Sequence, residues 1–358
     1  MRILDRYLVR EFLKVFVSAE LAFVAIFIVV NVSEKIDSIL DHDAPWAVVG
    51  AYYGYRVPYI LTLCTPVGVL LAALFSVGGL SNRLEVLSMR SVGLSTRRIL
   101  VPLLGAGLLL SAAFFAFTEL VVPEANARAN RVWRTDVEGR EPRVTENRRD
   151  VAHVGRGGQI YNIGWWESKR ALMRDVTIQE FAGIRLVRRL DAKRGHWNGE
   201  GWTFEDGILR EFEPDGERVL PFGSLDFGEL GDTPEDFNKV EREPDEMSYG
   251  QLREKIGDLR AAGQGVDELL TNLHLKVSFP LVLFFMVLIG APLATVFRGG
   301  GRAISFAFTL GIAFSYYGLV RVGQAIGAAG GLPPWVAAWL GDGAAAVAGI
   351  GLLSRAEK

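Results

Sequence analysis

The chain has 358 residues, 50% of them hydrophobic, a formal net charge of −2 and one cysteine, Cys64. A lone cysteine inside an apolar run excludes a disulfide framework and a cysteine-built metal site. The near-zero charge averages two unlike parts: residues 123–268 hold 23 Lys/Arg against 30 Asp/Glu, and the mostly apolar flanks hold 16 against 11. The expectation is an acidic water-soluble insert between basic membrane parts, with no nucleic-acid partner.

Residues 1–14 are basic and amphipathic. Arg2, Arg6, Arg10 and Lys14 are interleaved with Ile3, Leu4, Tyr7, Leu8 and Phe12, which predicts a segment in the membrane interface before the chain turns into the bilayer. The apolar run that follows starts late, carries Lys14 and Glu20 and lacks a small-residue cleavage site. It reads as a first span over 15–32 rather than a signal peptide. Glu34, Asp37, Asp41 and Asp43 form an acidic loop, with Lys35 the exception. Further spans are expected over 57–79 and 99–122, each near the roughly 20 residues a crossing needs. Gly68, Ala72, Ser76 and Gly105 along them allow close helix packing.

Residues 81–98 lie between those two spans. The segment is too short and polar to cross a bilayer, and long enough for about two or three helical turns. Leu84, Leu87 and Val92 are placed to face the membrane or a partner. Glu85, Met89 and Gly93 fall at i, i+4 and i+8 on one helical face. With Arg90 they form a candidate docking surface; the alternative is an ordinary basic loop.

The middle block reads as β. Residues 176–181, 185–190, 201–204, 207–212 and 218–220 are short, rich in β-formers and partly alternating. Asn198-Gly199 and Asp215-Gly216 are hairpin signals. Many short antiparallel strands predict a sandwich or jelly roll. Pro244 then introduces a helix capped by Ser248, with Tyr249, Leu252, Ile256 and Leu259 on one side and Gly263 at its end.

Three more spans are expected over 275–297, 303–326 and 334–353. Every short basic segment then falls on one side: the N-terminus, 83–98, Arg298 with Arg302, and Arg355 with Lys358. The positive-inside rule places both termini in the cytoplasm and the β block outside. The fold class is membrane α-helical, six spans arranged 3+3, with an inserted periplasmic all-β jelly-roll-like domain. The parts are 1–122, 123–247, a connecting helix and linker over 248–268, and 269–358.

The sequence holds no Gly-x-x-x-x-Gly-Lys-Ser/Thr loop, no zinc-type histidine pair and no Gly-x-Ser-x-Gly elbow. Any ATP-driven work falls to another chain, and no catalytic residue or metal ligand is assigned. Ionisable residues within spans cost about 2.5–3.5 kcal/mol or more at the bilayer centre. Arg321 and Asp342 lie at similar distances on either side of the 330–334 turn, so they are candidates for an ion pair. Glu20 faces a polar cavity or a neighbouring subunit. Lys35, Arg56 and Lys276 group near the outer membrane face and, with Arg321, are candidates for lipid phosphates. Simple snorkelling is the alternative for each. Val176, Ile178, Phe181, Leu186, Trp202 and Phe204 are candidates either for an apolar lipid path or for the sandwich core.

The whole pattern resembles the lipopolysaccharide export permease family, LptF/LptG. The likeness rests on Leu4-Asp5-Arg6-Tyr7 with Arg10-Glu11, on the 82–93 run with Glu85, Met89 and Gly93, on Leu273-His274-Leu275-Lys276 with Phe279-Pro280-Leu281, and on Gly331-Leu332-Pro333-Pro334-Trp335. The resemblance implies a heterodimer of two such permeases in the bacterial inner membrane. Two copies of the ATPase LptB, holding ATP and magnesium, would dock on coupling helices like 81–93. Lipopolysaccharide would enter laterally past the first and fifth spans and pass by the jelly rolls to a bridge begun by LptC. Glu85 would contact a basic residue of the ATPase. The short tail and the Gly-Leu-Pro-Pro turn favour the LptG branch, and the Arg-Tyr-Leu-Val-Arg-Glu opening favours LptF; the balance leans to LptG. The rival readings are a membrane enzyme acting on an envelope lipid, using Glu20, Arg321 and Asp342, and a scaffold that moves no lipid.

Overall fold

A computed structural model describes residues 3–139, 147–155, 158–182, 185–213, 216–228, 230–238, 242–261, 265–296 and 301–356. Arg2, Asp215, Gly263, Arg298 and Lys358 lie outside the described residues, as does the Arg302 side chain. The backbone divides into two compact units. One is helical, Met1–Glu138, Glu243–Ile256 and Gly265–Lys358; the other holds Gly139–Arg242 with Gly257–Gln264.

The helical unit has six helices long and apolar enough to cross a membrane: α1 (Ile3–Asp41), α2 (Trp46–Asn82), α4 (Thr96–Leu120), α8 (Asp267–Val296), α9 (Gly301–Ala328) and α10 (Pro334–Arg355). Short α3 (Glu85–Ser91) joins α2 to α4, and α5 (Val122–Arg131) follows α4. The apolar cores of α2 and α8 are buried against each other. Val69, Leu70, Ala73 and Leu74 pack with Val282, Leu283, Met286 and Val287 at the centre of the bundle. By contrast α1 and α9 are the spans least covered by their own chain.

Two sequence expectations are corrected here. Residues 3–14 are no separate interfacial segment: α1 runs unbroken through them and onward through Glu34 and Asp37 to end at Asp41. It contains neither proline nor glycine, so nothing in it supplies a kink. Likewise α2 begins at Trp46, well before the apolar run that marked its span, and Pro58 and Pro66 lie inside it. Hydropathy marks only the part of a helix that meets hydrocarbon, and these helices continue beyond it.

The unit boundary at 138/139 also falls later than the drop in hydropathy at 122/123. α5 and the π-helical stretch Val132–Val137 belong with the helices. Their buried residues Val122, Pro123, Asn126 and Ala129 account for this.

The second unit contains β1 (Arg148–Val154), β2 (Ile160–Glu167), β3 (Leu172–Ala182), β4 (Arg185–Trp197), β5 (Trp202–Glu213) and β6 (Gly216–Phe227), with one turn of helix, α6 (Pro234–Phe237). The inserted antiparallel β domain is as expected. Its connectivity among the described residues is a meander, in the order β1-β2-β3-β4-β5-β6, and not the Greek-key order of a jelly roll. Short hairpins explain this. Asn198 Oδ1 accepts from the Glu200 and Gly201 amides, with Gly199 at φ +104, so β4 folds straight back into β5.

The segments 201–204 and 207–212 are one strand, β5, and β1 and β2 were not anticipated. A single feature explains both. Asp150, Asp175 and Asp206 all sit at φ +52 in mid-strand. The flanking pairs place Asp150 and Asp175 on either side of Gly164, Asp175 across from Lys193, Lys193 across from Asp206, and Asp206 across from Gly223. This row crosses all six strands. Along it the inward-facing parity flips: Tyr161 and Ile163 give way to Trp166, Met173 to Val176 and Ile178, and Trp202 and Phe204 to Leu209. A sequence search for strict alternation breaks at that crease.

Candidate functional site

The 81–98 segment folds as its local chemistry dictates. Gly93 follows α3 at φ +88, and its amide donates to Arg90 O at 3.0 Å while the Leu94 amide donates to Met89 O at 3.2 Å. This Schellman closure needs a left-handed residue, which glycine adopts without penalty. Gly93 is therefore the stop of α3 and does not continue the Glu85–Met89 face. Ser95 then caps α4 by accepting from the Arg98 amide at 3.3 Å.

Val86, 3% exposed, anchors α3 to the bundle, and Met89 packs against the same core. Leu84, Leu87 and Val92 stay uncovered at 61%, 51% and 77% exposure, beside exposed Arg90. Glu85 is half-buried. Its Oε2 accepts from the Tyr7 hydroxyl at 2.9 Å, and Arg83 lies 3.9 Å from its Oε1. Arg98 pairs with Asp5 at 3.0 Å. Both Tyr7 and Asp5 are on α1. Their run supported the family resemblance, but these contacts were not legible in the sequence, because a partner about 80–90 residues away leaves no periodic signal.

The four candidate cations separate into two places. Lys276 and Arg321 line one cavity of about 210 Å³, with Tyr59, Glu119, Asn272 and Gln324 among its walls. Arg321 donates to Gln324 at 3.2 Å, and Gln324 donates to Asn272 at 3.3 Å. Glu119 is spent on the start of α7 (Tyr249–Ala261), where it accepts from the Tyr249 amide at 2.7 Å. Lys35 and Arg56 do not line that cavity. Lys35 Nζ lies 3.5 Å from the Trp133 ring centroid and 4.9 Å from that of Tyr52. Arg56 stacks 4.1 Å over Tyr59 and hydrogen-bonds Asn126. These are cation–π and amide contacts that hold the C-terminal part of α1 and the N-terminal part of α2 against α5 and the turn after it.

The Arg321–Asp342 pair does not form. Asp342 is 2% exposed and accepts from the Tyr316 hydroxyl at 3.1 Å. Tyr316 and Arg321 are five residues apart on α9, about 140° around a helix. Equal depth along a hairpin was legible; the rotation of each helix was not. Glu20, expected at a cavity or a neighbouring subunit, is 8% exposed and covered by its own chain. It is buried between α1 and α2, where Thr65 donates to it at 3.0 Å. A methyl group on Gly68 would stand 2.6 Å from Glu20 Oε2, so a glycine is needed for that approach.

In the β unit, Ile178, Trp202 and Phe204 are sealed at 3%, 0% and 0% exposure in one aromatic core; Phe181 alone of the block's candidates is exposed. Trp202 donates to Asp232 O at 2.8 Å, and Tyr161 donates to Asp232 Oδ2 at 2.9 Å. Burial and the Asp232 carboxylate push the Tyr161 phenol well above its ordinary value. The three sealed residues are core in this conformation, and none lines an open path.

A comparison with curated proteins finds no match. A comparison with protein-family models matches residues 6–355 to the family described as lipopolysaccharide export system permease LptF/LptG. That match takes in α3, both cation groups and the inserted sheet. With six membrane-spanning candidates and an antiparallel β domain between them, the chain belongs to the LptF/LptG family of inner-membrane lipopolysaccharide export permeases.

Proposed function

We propose that this permease is one half of an ABC-type transporter that extracts lipopolysaccharide from the inner membrane and passes it to a periplasmic bridge. The observation that carries the reading is the uncovered apolar surface of Leu87 on α3 and of Leu84 and Val92 at its two ends, held by the anchor Val86. Burying such side chains fully is worth about 1.5–3 kcal/mol each, and this chain leaves them to a partner. A separate ATPase of the LptB type, in two copies with ATP and magnesium, covers them in this reading. Glu85 and Arg90 then supply the polar contacts. Both termini are cytoplasmic and the β domain is periplasmic, following the basic residues at 6–14, 83–98 and 355.

α1 and α9, the spans least packed by their own chain, border the cavity shared with a second permease of the family. The Gly-Leu-Pro-Pro turn favours the LptG side of the pair for this chain, against the Arg-Tyr-Leu-Val-Arg-Glu opening. Lys276 and Arg321 meet lipid A phosphates, and Lys35 and Arg56 do so on leaving their aromatic partners. LptC continues the path beyond the β domain. The chain itself moves and catalyses nothing.

Gentle extraction from the native membrane with mass spectrometry of co-purifying chains and lipids tests this. A second permease, a soluble ATPase and lipopolysaccharide are expected, and Glu85→Ala should release the ATPase. Recovery of a lone chain, even after mild crosslinking, would sink the reading.

A further inference from the structure

The contacts of α1 point to a role that its span alone does not suggest. Of the six spans, α1 alone holds neither proline nor glycine. Its membrane-crossing part is largely uncovered, with Val17, Leu21, Ile26, Val29 and Val30 all exposed. One face is held along α2, where Phe16 packs on the bundle core and buried Glu20 accepts from Thr65, and further ties lie towards its two ends. At its start, Leu8 and Phe12 are buried in the bundle, and Asp5 and Tyr7 reach the 81–98 segment. Lys35 is fixed near its far end. Tyr7 and Lys35 are about 42 Å apart along an unbroken helix.

The two polar ties bracket α3. Tyr7 takes Glu85, its first residue, and Asp5 takes Arg98, in the first turn of α4 beyond its stop. Asp5 is only 13% exposed, so this pair is screened less than a surface one. Glu85 gives one carboxylate oxygen to Tyr7 and keeps Oε1, with only a long contact to Arg83, for a further donor. A carboxylate shared in this way joins whatever docks on α3 to α1.

We propose that Asp5 and Tyr7 are positioning residues that fasten α1 to the docking segment, so that a displacement of α3 is delivered to α1 as a rigid lever. The inference rests on the reading of residues 81–93 as the ATPase contact. It adds the route by which that contact reaches the uncovered helix: α1 moves because it is tied to α3, and not because lipid or a neighbouring span displaces it.

The test uses the full complex from native membranes in proteoliposomes, read as lipopolysaccharide moved per ATP hydrolysed. Asp5→Arg and Arg98→Asp should each lower that ratio about fivefold, with ATPase binding and hydrolysis within about twofold, and the double swap should restore it. Tyr7→Phe, which removes only the hydroxyl, should lower it about twofold and keeps the test valid if the charge variants fold poorly. Hydrogen exchange of 85–91 in the permease alone should rise in each single variant and return in the swap. An unchanged ratio with the ATPase bound, or a swap that restores neither readout, overturns the proposal. A wild-type chain that recruits no ATPase overturns the docking reading instead, and the exchange data then decide whether the fastening stands.

Discussion

Asp342 has a phenol for a partner where depth in the hairpin suggested a guanidinium. The distinction has measurable consequences. Removing the Tyr316 hydroxyl leaves a buried carboxylate with one donor fewer, and such bonds within membrane proteins are worth about 0.6–1.7 kcal/mol. Tyr316→Phe should lower the melting temperature of the detergent-solubilised chain by a few degrees, whereas Arg321→Ala should leave it nearly unchanged. Equal losses would revive the ion pair. Tyr161 gives a pH dependence of its own. Its folded-state pKa lies above the unfolded value of about 10. Folding therefore favours the protonated phenol. That contribution is fully present below about pH 10 and declines as pH rises beyond it. Melting curves of the full chain at rising alkaline pH should fall more steeply for the wild type than for Tyr161→Phe. Parallel curves would contradict the assignment.

At the scale of elements, the crease across the sheet carries a backbone prediction. A left-handed residue other than glycine costs about 1–2 kcal/mol, less for aspartate. Asp206→Gly should hold or raise stability, while Asp206→Val should lower it by more than about 1 kcal/mol, as read by denaturant unfolding. The reverse order would mean that the φ of this residue is not what sets the parity flip. The crease also shows what was legible in the sequence. Long apolar runs disclosed six spans, and Asn198-Gly199 disclosed a hairpin, because each signal is local. The strands around Asp150, Asp175 and Asp206 were hidden or split because their alternation inverts partway. The ends of α1 and α2 were missed because they extend past the hydrocarbon. At the candidate site, Leu84, Leu87 and Val92 were read as facing the membrane or a partner and are exposed, while the i, i+4, i+8 spacing that joined Gly93 to Glu85 and Met89 ends at the left-handed glycine. The ties from Tyr7 and Asp5 to that site depend on tertiary placement, which spacing does not carry.

For the whole molecule, the helical unit combines a closely packed centre, α2 against α8, with two spans left uncovered by the chain. A carrier of a multi-chain lipid needs that division: a fixed frame, movable walls, and cations within reach of phosphates. If Lys276 and Arg321 act together, Lys276→Ala with Arg321→Ala should reduce bound lipopolysaccharide in the purified complex by more than tenfold, since charge-assisted bonds are worth about 1.5–3 kcal/mol each. Unchanged lipid content would move the phosphate site to Lys35 and Arg56. On this reading the chain transfers lipid only when a partner acts on its 81–93 surface. The most direct measurement is transfer of lipopolysaccharide out of proteoliposomes by the purified complex, with and without ATP, for the wild type and for Leu87→Asp. The wild-type complex should transfer lipid only when ATP is present, and Leu87→Asp should transfer none; transfer by this permease without ATP or a partner ATPase would rule out partner-driven transport.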